Sequence, residues 1–99
     1  KPPTAIFASN DISALGVMAA CQEFGLSIPA DISIIGYDGI ALGALRTLSL
    51  TTVAQPLGLM GQVAAQRLFD RMAGTQIDDR SIVLEPELLT RGTTAPPRV

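Results

Sequence analysis

The 99 residues include no histidine and no tryptophan, one tyrosine, three phenylalanines and one cysteine. Without histidine, the commonest general base near neutral pH and the commonest metal ligand are both missing. The lone Cys21 excludes an internal disulfide and any cysteine-built metal cluster, and its place in an apolar run fits a reducing compartment. Seven basic residues stand against nine acidic ones, for a net charge of −2, and none of the basic residues cluster. That argues against a nucleic-acid surface on this chain. The longest apolar run, Ala14 to Cys21, is too short to span a bilayer, so no membrane partner is expected. No phosphate-binding loop, dinucleotide fingerprint or nucleophile elbow occurs, and the carboxylates are scattered; Glu85 and Glu87 flank a proline rather than face a partner. These absences name no catalytic residue, metal ligand or cofactor, and the chain is not expected to be an enzyme.

What is present is apolar. Hydrophobic residues make up 47% of a length that allows one small domain at most. So short a chain has little interior, and part of its apolar surface is expected to meet a partner subunit or further protein. The opening Lys1-Pro2-Pro3 reads as the middle of a longer protein.

The chain is organised around Asp31-Ile-Ser-Ile-Ile-Gly-Tyr-Asp38-Gly39. Ile32 to Tyr37 is short, apolar and rich in β-branched residues, as suits a strand buried on both faces. Before it, Thr4 to Ala8 reads as a strand, and Asn10 as the N-cap of a helix that runs to Glu23 or Phe24 and stops at Gly25. Ile12, Leu15, Val17, Met18, Ala19 and Cys21 point all round that helix. It either carries tolerated exposed small residues or is covered on two sides, the second by a subunit. Ile40-Ala-Leu-Gly-Ala-Leu45 is apolar but glycine-containing, and supports the same interface.

Leu50 to Ala54 is the next strand, and Gln55-Pro56 opens a second helix that runs to about Ala73 before Gly74. Its apolar residues Leu57, Met60, Ala64, Leu68 and Met72 fall on one face, opposite Gln62, Gln66 and Asp70. After a polar loop over 74–80, Ser81 to Leu84 and Glu87 to Arg91 are strand candidates separated by Pro86. One domain over 1–92 and a tail over 93–99 are expected. This order is the grammar of an α/β fold with a largely parallel sheet.

Ser9-Asn10-Asp11, Tyr37-Asp38-Gly39 and Gln55 each follow a strand, and in a parallel sheet would share the edge where ligands bind. Asparagine, aspartate and glutamine together donate and accept, which suits a neutral ligand rich in hydroxyls better than a phosphate. Each residue has a plainer role open to it. Asn10 could only cap its helix, Asp11 only meet the helix dipole, Asp38-Gly39 only turn the chain, Gln55 only face solvent, and Tyr37 only pack.

Ala5-Ile-Phe-Ala-Ser-Asn-Asp11, Ala14-Leu-Gly16, Gly25-Leu-Ser-Ile-Pro29, Asp31-Ile-Ser33, Gly36-Tyr-Asp38, Leu50-Thr-Thr-Val53, Gln55-Pro56 and Gly61 occur in that order. The ordered set resembles the C-terminal part of the effector-binding module of LacI/GalR-family transcriptional regulators, from Pro3 to about Thr94. The resemblance implies part of a doubly wound sheet of the periplasmic-binding-protein-like type I fold. It further implies a cytoplasmic homodimer, a sugar-like effector, and operator DNA bound only through an N-terminal helix-turn-helix that is not among these residues. Crossings between two subdomains would fall near Gln55 and Pro86, placing the amphipathic helix and the Ser81 strand away from the Asp31–Gly39 strand.

By motif, Asn10 and Asp38 match effector-binding positions and Gln55 matches the crossover. Leu15, Met18, Ile40, Leu42 and Leu45 fall in the segments that match dimer contacts. Gly39 departs from a frequent second aspartate, which implies an altered turn. Ser49 departs from a frequent proline, which implies a less rigid crossover. A transport-system sugar-binding protein with the same fold, or a piece of an α/β enzyme completed elsewhere, are the alternative readings. A leader peptide or a basic helix-turn-helix upstream would separate the first from a regulator.

Overall fold

The computed structural model describes residues 2–75 and 81–98. Its elements are β1 (Ala5–Phe7), α1 (Asp11–Glu23), β2 (Ser33–Asp38), a 3-10 helix (Ala41–Ala44), β3 (Thr51–Ala54), α2 (Leu57–Met72) and β4 (Glu87–Leu89). The chain divides into two compact units, Lys1–Gln55 with Glu87–Val99, and Pro56–Pro86. The breaks fall where the resemblance puts the crossings.

In the first unit the strands lie side by side in the order β1-β2-β3-β4. β1 and β3 both run parallel to β2, with Ile6 opposite Ile34 and Tyr37 opposite Val53, while β4 returns antiparallel to β3. This is the mixed, mostly parallel α/β sheet expected from the sequence. The local chemistry of α1 is also as expected. Asn10 is extended and its side-chain oxygen accepts from the Ser13 amide at 2.7 Å, and Gly25 ends the helix with a φ of +73°.

Alternation along β2 turns Ile32, Ile34 and Gly36 towards α1, where they are buried. They meet Ala8, Ala14, Cys21 and Leu50, with Ile6, Leu15, Val17, Met18 and Ile28 packed round this small core. The other face of β2 is only half-covered at Ile35 and Tyr37, so among the described residues the strand is not fully buried on both faces.

The expected tail is partly built into the sheet. β3 begins at Thr51 opposite Ile35, which leaves the Ile34 backbone without a β3 partner. Thr93 takes that place: the Ile34 amide donates to the Thr93 carbonyl at 2.9 Å, and the Thr93 hydroxyl donates to the Ile34 carbonyl at 2.7 Å. The same hydroxyl accepts from the Thr51 amide at 2.9 Å, and Ser33 and Ala95 exchange two further hydrogen bonds.

In the second unit α2 ends at Met72, and Gly74, with φ +73°, turns the chain away after it. A Gln66–Asp70 hydrogen bond of 2.9 Å lies on its polar face, and none of its residues is buried. Met60, Val63, Ala64 and Arg67 line a cavity of about 290 Å³ with Ser81, Ile82 and Leu84. The strand expected over Ser81 to Leu84 does not form: these residues carry no ladder among those described. A strand is defined by its partner, and among the described residues the unit Pro56–Pro86 contains α2 and no other strand for this segment to pair with. Residues 76–80 of the polar loop expected over 74–80 lie outside the described residues.

Candidate functional site

The C-terminal ends of β1, β2 and β3 carry Asn10, Asp38 and Gln55, as a parallel arrangement requires. Two of the three are brought into contact. The Gln55 side-chain amide donates to Asp38 Oδ1 at 2.6 Å, and the Gln55 backbone amide donates to the Asp38 carbonyl at 3.0 Å. Asn10 is engaged through its oxygen in the α1 cap, a bond in which its amide nitrogen takes no part.

Asp38 sits at φ +127° and Gly39 at φ +78°. The left-handed region costs an L-residue such as Asp38 about 1–3 kcal/mol and persists only where the surroundings hold it there. Gly39 has to be glycine for a second reason. A Cβ on it would stand 2.5 Å from the Ala54 Cβ and 2.7 Å from the Ala54 Cα. The frequent aspartate at this position would therefore not fit the turn as it is built here.

Asp11 holds the turn from below and is fully buried. Its Oδ2 accepts from the Gly39 amide at 2.9 Å and the Ile40 amide at 2.8 Å, and its Oδ1 accepts from the Thr52 hydroxyl at 2.6 Å. The plain reading of Asp11 as a helix-end charge missed this. Its partners lie 28, 29 and 41 residues away, so no local spacing could have revealed them. Gly36 is the nearest thing to a signal: a Cβ there would come within 2.3 Å of Asp11 Oδ1, so that glycine makes room for the carboxylate.

Leu15 and Met18 pack partly against the core, Ile40 is half-buried, and Leu42 and Leu45 are 45% and 52% exposed. Elsewhere a cavity of about 360 Å³ is walled by Ile6, Val17, Cys21, Phe24 and Ile32, with Asp31 and Arg98 among its lining residues. It lies against the C-terminal half of α1, away from Asn10, and its apolar walls offer little to a hydroxyl-rich molecule. Among the described residues no helix is long and apolar enough to cross a membrane.

A mostly parallel sheet with polar side chains at its carboxyl edge is the architecture of α/β ligand-binding modules. The chain belongs to the periplasmic binding protein-like domain family, whose model matches residues 1–94. Among curated proteins it is 43% identical over 93 residues to the HTH-type transcriptional repressor PurR of Proteus mirabilis, covering 94% of this chain and 27% of that protein. Among solved structures it is similar to a LacI family transcriptional regulator from Enterococcus faecium with bound ribose. That match has a TM-score of 0.89 and 38% identity, and covers 99% of this chain and 36% of the other. It is also similar to the lac repressor dimer bound to operator and the anti-inducer ONPF, with a TM-score of 0.84 and 38% identity over 93% of this chain and 32% of the other. The resemblance to the effector-binding module of LacI/GalR-family regulators is thereby upheld. The chain spans about a quarter of the length of the curated relatives it matches.

Proposed function

We propose that the chain is the ligand-sensing and dimerisation part of a LacI/GalR-type transcriptional regulator. Its effector is a small hydroxyl-rich molecule, a sugar, bound at the edge formed by Asn10, Asp38 and Gln55. The Asp38–Gln55 pair carries this reading. An aspartate carboxylate accepts from ligand hydroxyls while the bonded glutamine fixes its direction. The ribose in the Enterococcus faecium relative supports the ligand class.

In the regulator, effector binding shifts the equilibrium between operator-competent and incompetent states through its differential affinity for them. Operator DNA is bound by a headpiece outside these residues, so the protein works in the cytoplasm, where the DNA is. Leu15, Met18, Ile40, Leu42 and Leu45 form the contact with the second subunit, and the exposure of Leu42 and Leu45 supports their part in it. The repressor relatives favour this reading over a transport protein, and no relative reported above is an enzyme.

Calorimetry of the regulator with ribose tests the site. Asp38→Ala is expected to weaken binding by roughly tenfold or more, as loss of a charge-assisted hydrogen bond does. Unchanged affinity would remove Asp38 from the site. Sedimentation at micromolar concentration tests the subunit contact, which a purely monomeric regulator would rule out.

A further inference from the structure

We infer that Asp11, a residue without access to solvent, is the positioning residue of the ligand-binding edge. The inference rests on Asp38 being a ligand contact. Asp38 points its carboxylate from a backbone at φ +127°, followed by Gly39 at +78°, a conformation that needs external support. The next two amides, of Gly39 and Ile40, converge on one oxygen, Asp11 Oδ2, at 2.9 and 2.8 Å. The other oxygen takes the Thr52 hydroxyl at 2.6 Å and so fixes β3 three residues before Gln55.

Asn10 is joined to Asp11 directly through the chain. One buried carboxylate is therefore tied to all three elements that present the ligand groups, and it is not itself available to a ligand. The fit is close: a Cβ on Gly36 of β2 would meet Oδ1 at 2.3 Å. Charge-assisted bonds of this kind, made in a dry interior, hold geometry more tightly than neutral ones.

The test uses the full-length protein and two variants, Asp11→Ala, which removes both acceptors, and Asp11→Asn, which keeps one neutral acceptor. Amide hydrogen exchange at Gly39 and Ile40 is compared with exchange at Ala8 and Ser33, whose amides donate to the Ile35 and Thr4 carbonyls. In the alanine variant the two turn amides are expected to exchange about tenfold faster, with Ala8 and Ser33 unchanged. The asparagine variant should recover part of that protection, and it carries the test if the alanine variant does not fold.

Exchange at Gly39 and Ile40 that stays at the original rate, or rises only in step with Ala8 and Ser33, overturns the inference, since a general stabiliser would act on all four. Ribose calorimetry separates the two claims. If Asp38→Ala weakens binding and Asp11→Asn does not, the positioning role fails and the site stands. If Asp38→Ala has no effect, the site fails, and the exchange rates alone decide whether Asp11 fixes the turn.

Discussion

Asp38 and Gln55 are joined twice. The backbone amide of Gln55 donates to the Asp38 carbonyl at 3.0 Å, and its side-chain amide donates to the Asp38 carboxylate at 2.6 Å. The first bond extends the β2–β3 ladder by one step beyond Ala54, and the second sets the direction of the carboxylate. Gln55 is also the last residue before the chain leaves the first compact unit.

The pair should therefore act as a unit in ligand binding. Asp38→Ala and Gln55→Ala are each expected to weaken ribose binding by the regulator, and the double variant to lose less than the sum. A double-mutant cycle measured by calorimetry should give a coupling of about 1 kcal/mol, in the range found for hydrogen-bonded neighbours. Strict additivity would mean that the 2.6 Å bond has no role in presenting the carboxylate.

Two glycines separate backbone strain from steric exclusion. Gly25 and Gly39 have φ values of +73° and +78°, but nothing lies within 4 Å of a Cβ built on Gly25, whereas one on Gly39 would meet Ala54 at 2.5 and 2.7 Å. Gly25→Ala should cost about 1 kcal/mol, the price of an L-residue in the left-handed region. Gly39→Ala should cost more, by about 1–3 kcal/mol, because the Ala54 backbone has to move. Urea unfolding of the two variants side by side checks the difference, and equal costs would show that the turn relaxes freely.

The parts of the fold that could be read from sequence are those set by local chemistry. Asn10 before α1, Gly25 after it and the β-branched run of β2 each act within a few residues of themselves, and the structure has these elements within a residue or two of expectation. The three polar ends of the strands were legible for the same reason, since each simply follows its strand. Asp11, Thr93 and the 81–84 segment were not. The partners of Asp11 are far along the chain, and Thr93 looks like tail because Thr-Thr-Ala-Pro-Pro has no apolar pattern. Ser81 to Leu84 has the composition of a strand but no ladder, and a ladder is a property of two segments rather than of one.

Thr93 is the clearest case of a polar residue doing the work of a strand. Its buried hydroxyl accepts from the Thr51 amide and donates to the Ile34 carbonyl. Thr93→Val keeps the shape and removes both bonds, leaving a buried amide and a buried carbonyl each short of a partner. A loss of about 2–4 kcal/mol is expected from two unsatisfied groups at about 1–3 kcal/mol each, with partial relaxation. Thr93→Ser, which keeps the hydroxyl, should recover most of it. Thermal and urea unfolding measure both variants; a valine variant as stable as the original chain would mean that water takes over the hydroxyl's bonds.

Ser49 stands where the family resemblance often has proline, and the structure gives the departure a physical basis. Its φ is +44°, which the proline ring, fixed near −65°, cannot adopt. Its amide donates to the Leu45 carbonyl at 2.7 Å, a bond proline would also lose. Its carbonyl and hydroxyl both accept from the Gly92 amide, at 2.8 and 3.0 Å, so the serine ties the 3-10 segment to the chain returning after β4. Far from loosening the approach to β3, Ser49 anchors it. Ser49→Pro should destabilise the chain by about 3 kcal/mol or more. Ser49→Gly keeps the backbone geometry and the carbonyl's share of the Gly92 bond, and should change stability by less than about 1 kcal/mol. Equilibrium urea unfolding distinguishes them. A proline variant as stable as the original would show that residues 45–50 readily take the other path to β3, and that the left-handed turn at Ser49 is a choice this sequence makes rather than one it depends on.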